Sequence, residues 1–157
     1  FPGVGAFGAA IDQLESEGLW NILQNFLKEG GTYLGICLGM QLLTGSSDES
    51  RGKTGLNIIP GTCKRFVQGK IPQIGWNQIQ IKKKSALLDG INNDSYFYFV
   101  HGYYISPTQD KIITATTDYY LEFPSIIEQN NIYAVQFHPE KSGDQGIKII
   151  KNWVEKC

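Results

Sequence analysis

A cysteine framework, a membrane-length apolar run and an excess of charge of either sign are all lacking in this chain of 157 residues. Its three cysteines, Cys37, Cys63 and Cys157, are an odd number at wide and patternless spacings, which argues against disulfide scaffolding and against a zinc site and points to a reducing compartment. Fourteen basic residues against fifteen acidic ones leave a net charge of −1, so there is no field to draw nucleic acid or an anionic membrane, and a small or neutral ligand is the better expectation. No signal-peptide layout opens the sequence, and no apolar stretch reaches the length of a span; a soluble protein is expected. Internal repeats and low-complexity tracts are also missing. With 41% hydrophobic residues, the length suits one domain, residues 1–157, built around one sizeable core.

Apolar residues at helical spacing, Ala10, Ile11 and Leu14, then Leu19, Ile22, Leu23, Phe26 and Leu27, predict an amphipathic helix interrupted at Gly18 and stopped by Gly30-Gly31. Residues 32–36 read as a short buried strand and 38–43 as the start of a second helix. Residues 45–55, GSSDESRGKTG, read as a surface loop. Beyond it the period falls to two, with candidate strands at 57–59, 62–67, 76–82, 96–100, 112–116 and 132–137. Residues 84–91 suit a short helical turn, and Ile147, Ile149, Ile150, Trp153 and Val154 mark a last helix capped by Ser142 or Asp144. Alternating helices and strands followed by many strands predict an α/β domain whose central parallel sheet carries added antiparallel strands. The opening FPGVGAFG reads as a strand end entering a glycine turn, so the chain is expected to begin in mid-fold with N-terminal strands missing.

Three segments carry chemistry. GICLG, residues 35–39, has the form of a nucleophile elbow with cysteine as nucleophile, its glycines allowing a hard turn and its following helix favouring the thiolate of Cys37. A small thiol packed between close backbones would read the same way. In VQFHPEKS, residues 135–142, Pro139 pushes His138 towards extended geometry, so His138 and Glu140 leave one face and a carboxylate lies beside an imidazole. That is triad logic in a Cys-His-Glu version, the acid fixing the tautomer of the base. PGVG, residues 2–5, has the freedom to aim an amide at a developing oxyanion, with the Leu38 amide as partner donor. Cys63 reads as a core thiol, and His101, with no carboxylate two residues away, as structural or adjacent to substrate.

In this order the three segments resemble the class I glutamine amidotransferases. FPGVGAFG, LGICLGMQLL, GLNIIPG, KIPQIGWNQI, YFVHGYY and VQFHPEKSG are similar to the glutaminase subunit or domain of imidazole glycerol phosphate synthase, in histidine biosynthesis, over nearly the whole chain. The resemblance implies a three-layer amidotransferase-like α/β domain and a cytoplasmic enzyme, or a plastid one if the source is a plant, with no cofactor and no metal. It implies that Cys37 attacks the side-chain amide of L-glutamine, His138 passes the proton to departing ammonia, and Glu140 holds His138. The Leu38 and Val4 amides would form the oxyanion hole, the latter after a peptide flip. Gln41, with backbone around Gly3, Gly5, Gly102 and Tyr103, would hold glutamine. Trp76, Tyr98 and Lys141 match positions at or near the interface and gate towards a (β/α)8 barrel cyclase, the implied partner, to which ammonia passes without entering bulk water.

The sequence departs from the family pattern at two positions inside these segments. Gly102 stands where a hydroxyl residue usually follows YFVH, leaving only backbone contact there, and Gln73 stands where histidine is common, leaving His101 and His138 as the only histidines. Other readings stay open on sequence: the glutaminase of another class I amidotransferase, a γ-glutamyl hydrolase or cysteine peptidase releasing product to water, and a degenerate module retaining the fold as an interaction surface.

Overall fold

Neighbouring residues of the central strands feed two different cores, and this alternation creates the layers. The computed structural model describes all 157 residues. In chain order they form β1 (Pro2–Gly3), α1 (Phe7–Ser16), α2 (Leu19–Lys28), β2 (Tyr33–Cys37), α3 (Leu38–Gln41), β3 (Thr44–Ser47), β4 (Ile59–Arg65), β5 (Gln73–Gln78) and β6 (Gln80–Ile81). There follow β7 (Tyr96–His101), β8 (Tyr103–Pro107), β9 (Ile113–Asp118), β10 (Glu122–Gln129), β11 (Ile132–Val135) and α4 (Gly143–Lys156), with short 3-10 turns at Ala86–Leu88, Asp110–Ile112 and Pro139–Lys141. Ala134 and Ile127 pack with Phe7, Ile11, Leu14, Trp20 and Leu27 of α1 and α2. Their neighbours Val135 and Ile126 turn the other way, to Phe97, Phe99, Phe137 and Ile149 of α4. Helices on both faces of one sheet give the expected three layers. None of the helices is long and apolar enough to cross a membrane.

The main sheet runs β1-β2-β11-β10-β9-β6. The pairs β1–β2 and β2–β11 are parallel, while β10, β9 and β6 extend the sheet antiparallel. A three-stranded sheet β3-β4-β8 and a two-stranded ribbon β5-β7 stand beside it. The register of the parallel pairs matters most for function. Gly3 lies opposite Cys37, and Val135 opposite Ile36, so three neighbouring strands end together just where the sequence places its chemistry.

The interruption expected at Gly18 is present: α1 and α2 are joined through it at φ 71°, a left-handed conformation that glycine adopts without steric cost. Other sequence expectations need adjustment. Strand β3 takes the first residues of the expected loop at 45–55, and β8 and β10 were not expected as strands at all. In β10 the sequence carries Pro124, which argues against a central strand; the sheet accommodates it at a register irregularity against β9. Ser142 does stand at the N-terminus of α4, but its hydroxyl makes no helix cap. It donates to the His138 carbonyl at 2.6 Å and accepts from the Tyr98 amide at 2.9 Å, tying α4 to the site instead.

The glycines of the elbow also serve a purpose other than the expected one. Gly35 and Gly39 are not in left-handed conformations; the positive φ, 52°, belongs to Cys37 itself. What the glycines provide is clearance. A Cβ on Gly39 would lie 2.2 Å from the Phe1 carbonyl oxygen, and one on Gly35 would lie 2.8 Å from Gly39 backbone and from the Tyr33 ring. Gly102 is different, since a Cβ there meets only Ile71 and Pro72 at ordinary contact distances of 3.4 Å and beyond. Gly35→Ala and Gly39→Ala are therefore expected to lower unfolding free energy by about 2 kcal/mol or more each. Gly102→Ser should stay within about 0.5 kcal/mol of the parent, all three read from urea midpoints.

Candidate active site

The site begins with a strained residue. Cys37 ends β2 at φ 52°, ψ −104° and is the residue from which the single turn of α3 starts. Side chains avoid this region at a cost of about 1–3 kcal/mol, so the surrounding packing must impose it. Tyr33 supplies part of that packing, its buried hydroxyl donating to the Gly39 carbonyl at 2.9 Å and pinning α3 down on β2. The thiol is 7% exposed. Burial pushes its pKa up to about 11, outweighing the lowering effects of the Leu38 amide and the Gln136 side chain, while Glu140 adds to the rise. The lowering expected at the start of a helix is present in the Leu38 amide but is outweighed by desolvation.

Histidine and glutamate come together as the sequence predicted. His138 Nδ1 lies 2.7 Å from Glu140 Oε1, across the 3-10 turn that Pro139 begins. The imidazole is 2% exposed. With Nδ1 donating to the carboxylate, Nε2 is left free to act as base, and it is buried with no hydrogen-bond partner. The His138 amide donates to the Tyr98 carbonyl at 2.9 Å, and the Cys37 thiol approaches the Val100 carbonyl at 3.9 Å, so the same strand, β7, seats both residues two positions apart. The thiol is not hydrogen-bonded to His138. It accepts from Gln136 Nε2 at 3.5 Å.

Beside the thiol opens a pocket of about 400 Å³. Val4, Gly5, Cys37, Leu38, Gln41, Gly102 and Tyr103, all named from the sequence, line it. Gly3 does not; it lies one residue back on β1, where a Cβ would come within 3.2 Å of Leu38. Val4 is 78% exposed, and a Cβ built on Gly5, which holds φ 113°, would meet nothing within 4 Å. Gln41 is buried, its amide donating to the Tyr103 carbonyl at 3.1 Å. Trp76, Tyr98 and Lys141 lie outside the pocket, on the β5–β7 ribbon and the Pro139–Lys141 turn; Trp76 and Tyr98 pair edge to face at 6.1 Å.

Sequence reasoning missed several lining groups. Glu49 and Arg65 bring one charge of each sign to the pocket wall, although they lie 16 residues apart, on the loop after β3 and at the end of β4. No local pattern marks them. Gln136 sits within the segment already singled out, but nothing in its spacing identifies its contact with sulfur. His101 is settled by its surroundings: Nδ1 meets the Tyr103 carbonyl at 2.7 Å and Nε2 meets the Gln73 amide at 3.1 Å. Burial lowers its pKa to about 4, keeping it neutral, and it braces the pocket wall. The Gln73 that replaces the family's usual histidine is its cross-strand partner.

Comparison with known proteins agrees with this geometry. The family model for class-I glutamine amidotransferases matches residues 1–157. The imidazole glycerol phosphate synthase subunit HisH of Methanothermobacter thermautotrophicus is 50% identical over 155 residues, 98% of this chain and 76% of that protein. The subunit of the same name from Methanocaldococcus jannaschii is 48% identical, covering 98% and 78%. Among solved structures, a glutamine amidotransferase superposes with a TM-score of 0.71 at 15% identity over 98% of this chain and 77% of that one, a likeness of fold alone. A cysteine elbow beside a histidine-glutamate pair, on this fold and at this level of identity, places the chain in the class-I glutamine amidotransferases and, within them, in the HisH family of imidazole glycerol phosphate synthase subunits.

Proposed function

We propose that residues 1–157 act as one glutaminase domain in which Cys37, His138 and Glu140 hydrolyse the side-chain amide of glutamine. One observation carries the reading: the strained elbow of β2 and the imidazole following β11 end side by side, with Glu140 already 2.7 Å from Nδ1. Sulfur attacks the amide carbon as His138 Nε2 takes the thiol proton, and the resulting oxyanion is received by the Leu38 amide and, after a peptide flip freed by Gly5, the Val4 amide. His138 then gives its proton to departing ammonia. Water, deprotonated by His138, cleaves the thioester and releases glutamate. Glu49 and Arg65 on the pocket wall carry charges complementary to the α-ammonium and α-carboxylate groups of glutamine, with Gln41, Gly102 and Tyr103 completing the wall.

Ammonia released here passes to a (β/α)8 barrel cyclase, which uses it to form imidazole glycerol phosphate and AICAR in a cytoplasmic route to histidine. Support comes from the relatives, which are imidazole glycerol phosphate synthase subunits, and from an exposed apolar face next to the site. Ile74, Trp76 and Tyr96 are each more than half exposed on the outer side of β5–β7, beside Tyr98, and the exposed Lys141 flanks them. A face of this kind suits a protein partner.

Cys37→Ala is expected to abolish glutamine-dependent cyclase activity in the reconstituted complex while leaving ammonium-dependent activity intact. Glutamine hydrolysis surviving in Cys37→Ala would refute the mechanism. Glu140→Gln, which loses the carboxylate that sets the His138 tautomer, should lower kcat by roughly a thousandfold or more with little change in KM. The elevated thiol pKa makes a third prediction for the chain without its partner. Below about pH 11 only a small fraction is thiolate, so iodoacetamide should label Cys37 slowly at pH 7 and about tenfold faster for each unit of pH up to 10. A labelling plateau near neutrality would show that the sulfur already pairs with His138.

A further inference from the structure

Gln136 stands in the apolar stretch between Val135 and Phe137 and is wholly buried. A primary amide in such a place costs free energy unless its groups are paired, so its partners explain its presence. They form a chain of defined polarity. The Tyr103 carbonyl, which can only accept, faces the Gln41 amide at 3.1 Å and therefore fixes that end of Gln41 as NH2. The same NH2 reaches Gln136 Oε1 at 3.3 Å, which turns the Gln136 NH2 to the Cys37 sulfur at 3.5 Å. The Gln136 main chain is locked as well, its amide donating to the Ser125 carbonyl at 2.9 Å. Two side-chain amides thus connect a backbone carbonyl of the pocket wall to the nucleophile.

We propose that Gln136 is a positioning residue: it seats the Cys37 sulfur through its NH2 and makes that seat depend on Gln41, so that events in the glutamine pocket reach the thiol. The proposal rests on the reading of Cys37 as nucleophile. An N–H directed at sulfur favours the charged form of the group and fixes the side chain in the rotamer that faces Val100. Any movement of the sulfur away from Val100 acts on the Gln136 bond. A substrate that draws on Gln41 loosens Gln136 and with it the seat of the thiol. His138 Nε2 is buried and unpartnered, open to a new bond.

The test uses the full-length protein and iodoacetamide, with peptide mapping to separate Cys37 from Cys63 and Cys157. Gln136→Met keeps the length of the side chain but removes its donor. It should slow Cys37 labelling at pH 8 about tenfold and lower kcat by a similar factor, with KM held within about twofold. Gln136→Glu, which offers sulfur a carboxylate, should slow labelling further. Gln41→Leu should slow labelling in the parent but have no added effect in Gln136→Met, because both changes break one relay. If Gln136→Met lowers the unfolding midpoint while labelling stays at the parent rate, Gln136 is only structural and the proposal fails; it fails equally if the two effects multiply. Should Gln136→Met not fold, Gln136→Asn, whose NH2 is withdrawn by one methylene, replaces it, and parental labelling there overturns the idea. Labelling reports the sulfur's seat without turnover, so a failure of the glutaminase reading would show separately, as hydrolysis persisting in Cys37→Ala.

Discussion

The contact on which the site depends is the stacking of backbone on backbone where α3 lies across β1 and β2. Cys37 can be held at a positive φ only because α3 folds straight back over its own strand, and α3 can do so only because Gly35 and Gly39 carry no side chain at the crossing. The Tyr33 hydroxyl locks the arrangement by bonding the Gly39 carbonyl. Once this crossing forms, the thiol points out of the sheet's end and the Leu38 amide faces the same space. Without it Cys37 would continue β2 as an ordinary buried strand residue.

The second determinant is electrostatic. A thiol this deeply buried is a poor nucleophile by itself, and the fold answers by placing an imidazole whose far nitrogen is already committed to a carboxylate. The low polarity that suppresses the thiolate also strengthens attraction between a thiolate and an imidazolium once they form. Suppression at rest and assistance in reaction therefore share one cause.

How far the sequence revealed this depends on how local each cause is. The His138–Glu140 pair was legible because two residues separated by one proline report directly on each other. The elbow was legible as a pattern of small residues around a cysteine, although the reason for the glycines was not, since Phe1 and Gly39 meet only in three dimensions. Strand β10 was hidden by Pro124, whose tolerance depends on an irregular register with β9. Glu49, Arg65 and Gln136 were missed for a common reason: each acts through a neighbour distant in sequence, and an isolated Glu, Arg or Gln carries no periodic signal. The rise in the thiol's pKa is not legible in the sequence for the same kind of reason, because burial is a property of the assembled core and α3 is one turn long.

The ribbon β5–β7 shares no ladder with the six-stranded sheet, yet its strand β7 supplies the carbonyls that receive both the His138 amide and the Cys37 thiol. Its inner edge is thus a workbench for the chemistry and its outer face an exposed aromatic plate. Because both seats belong to one strand, two residues apart, any displacement of β7 carries them as a pair.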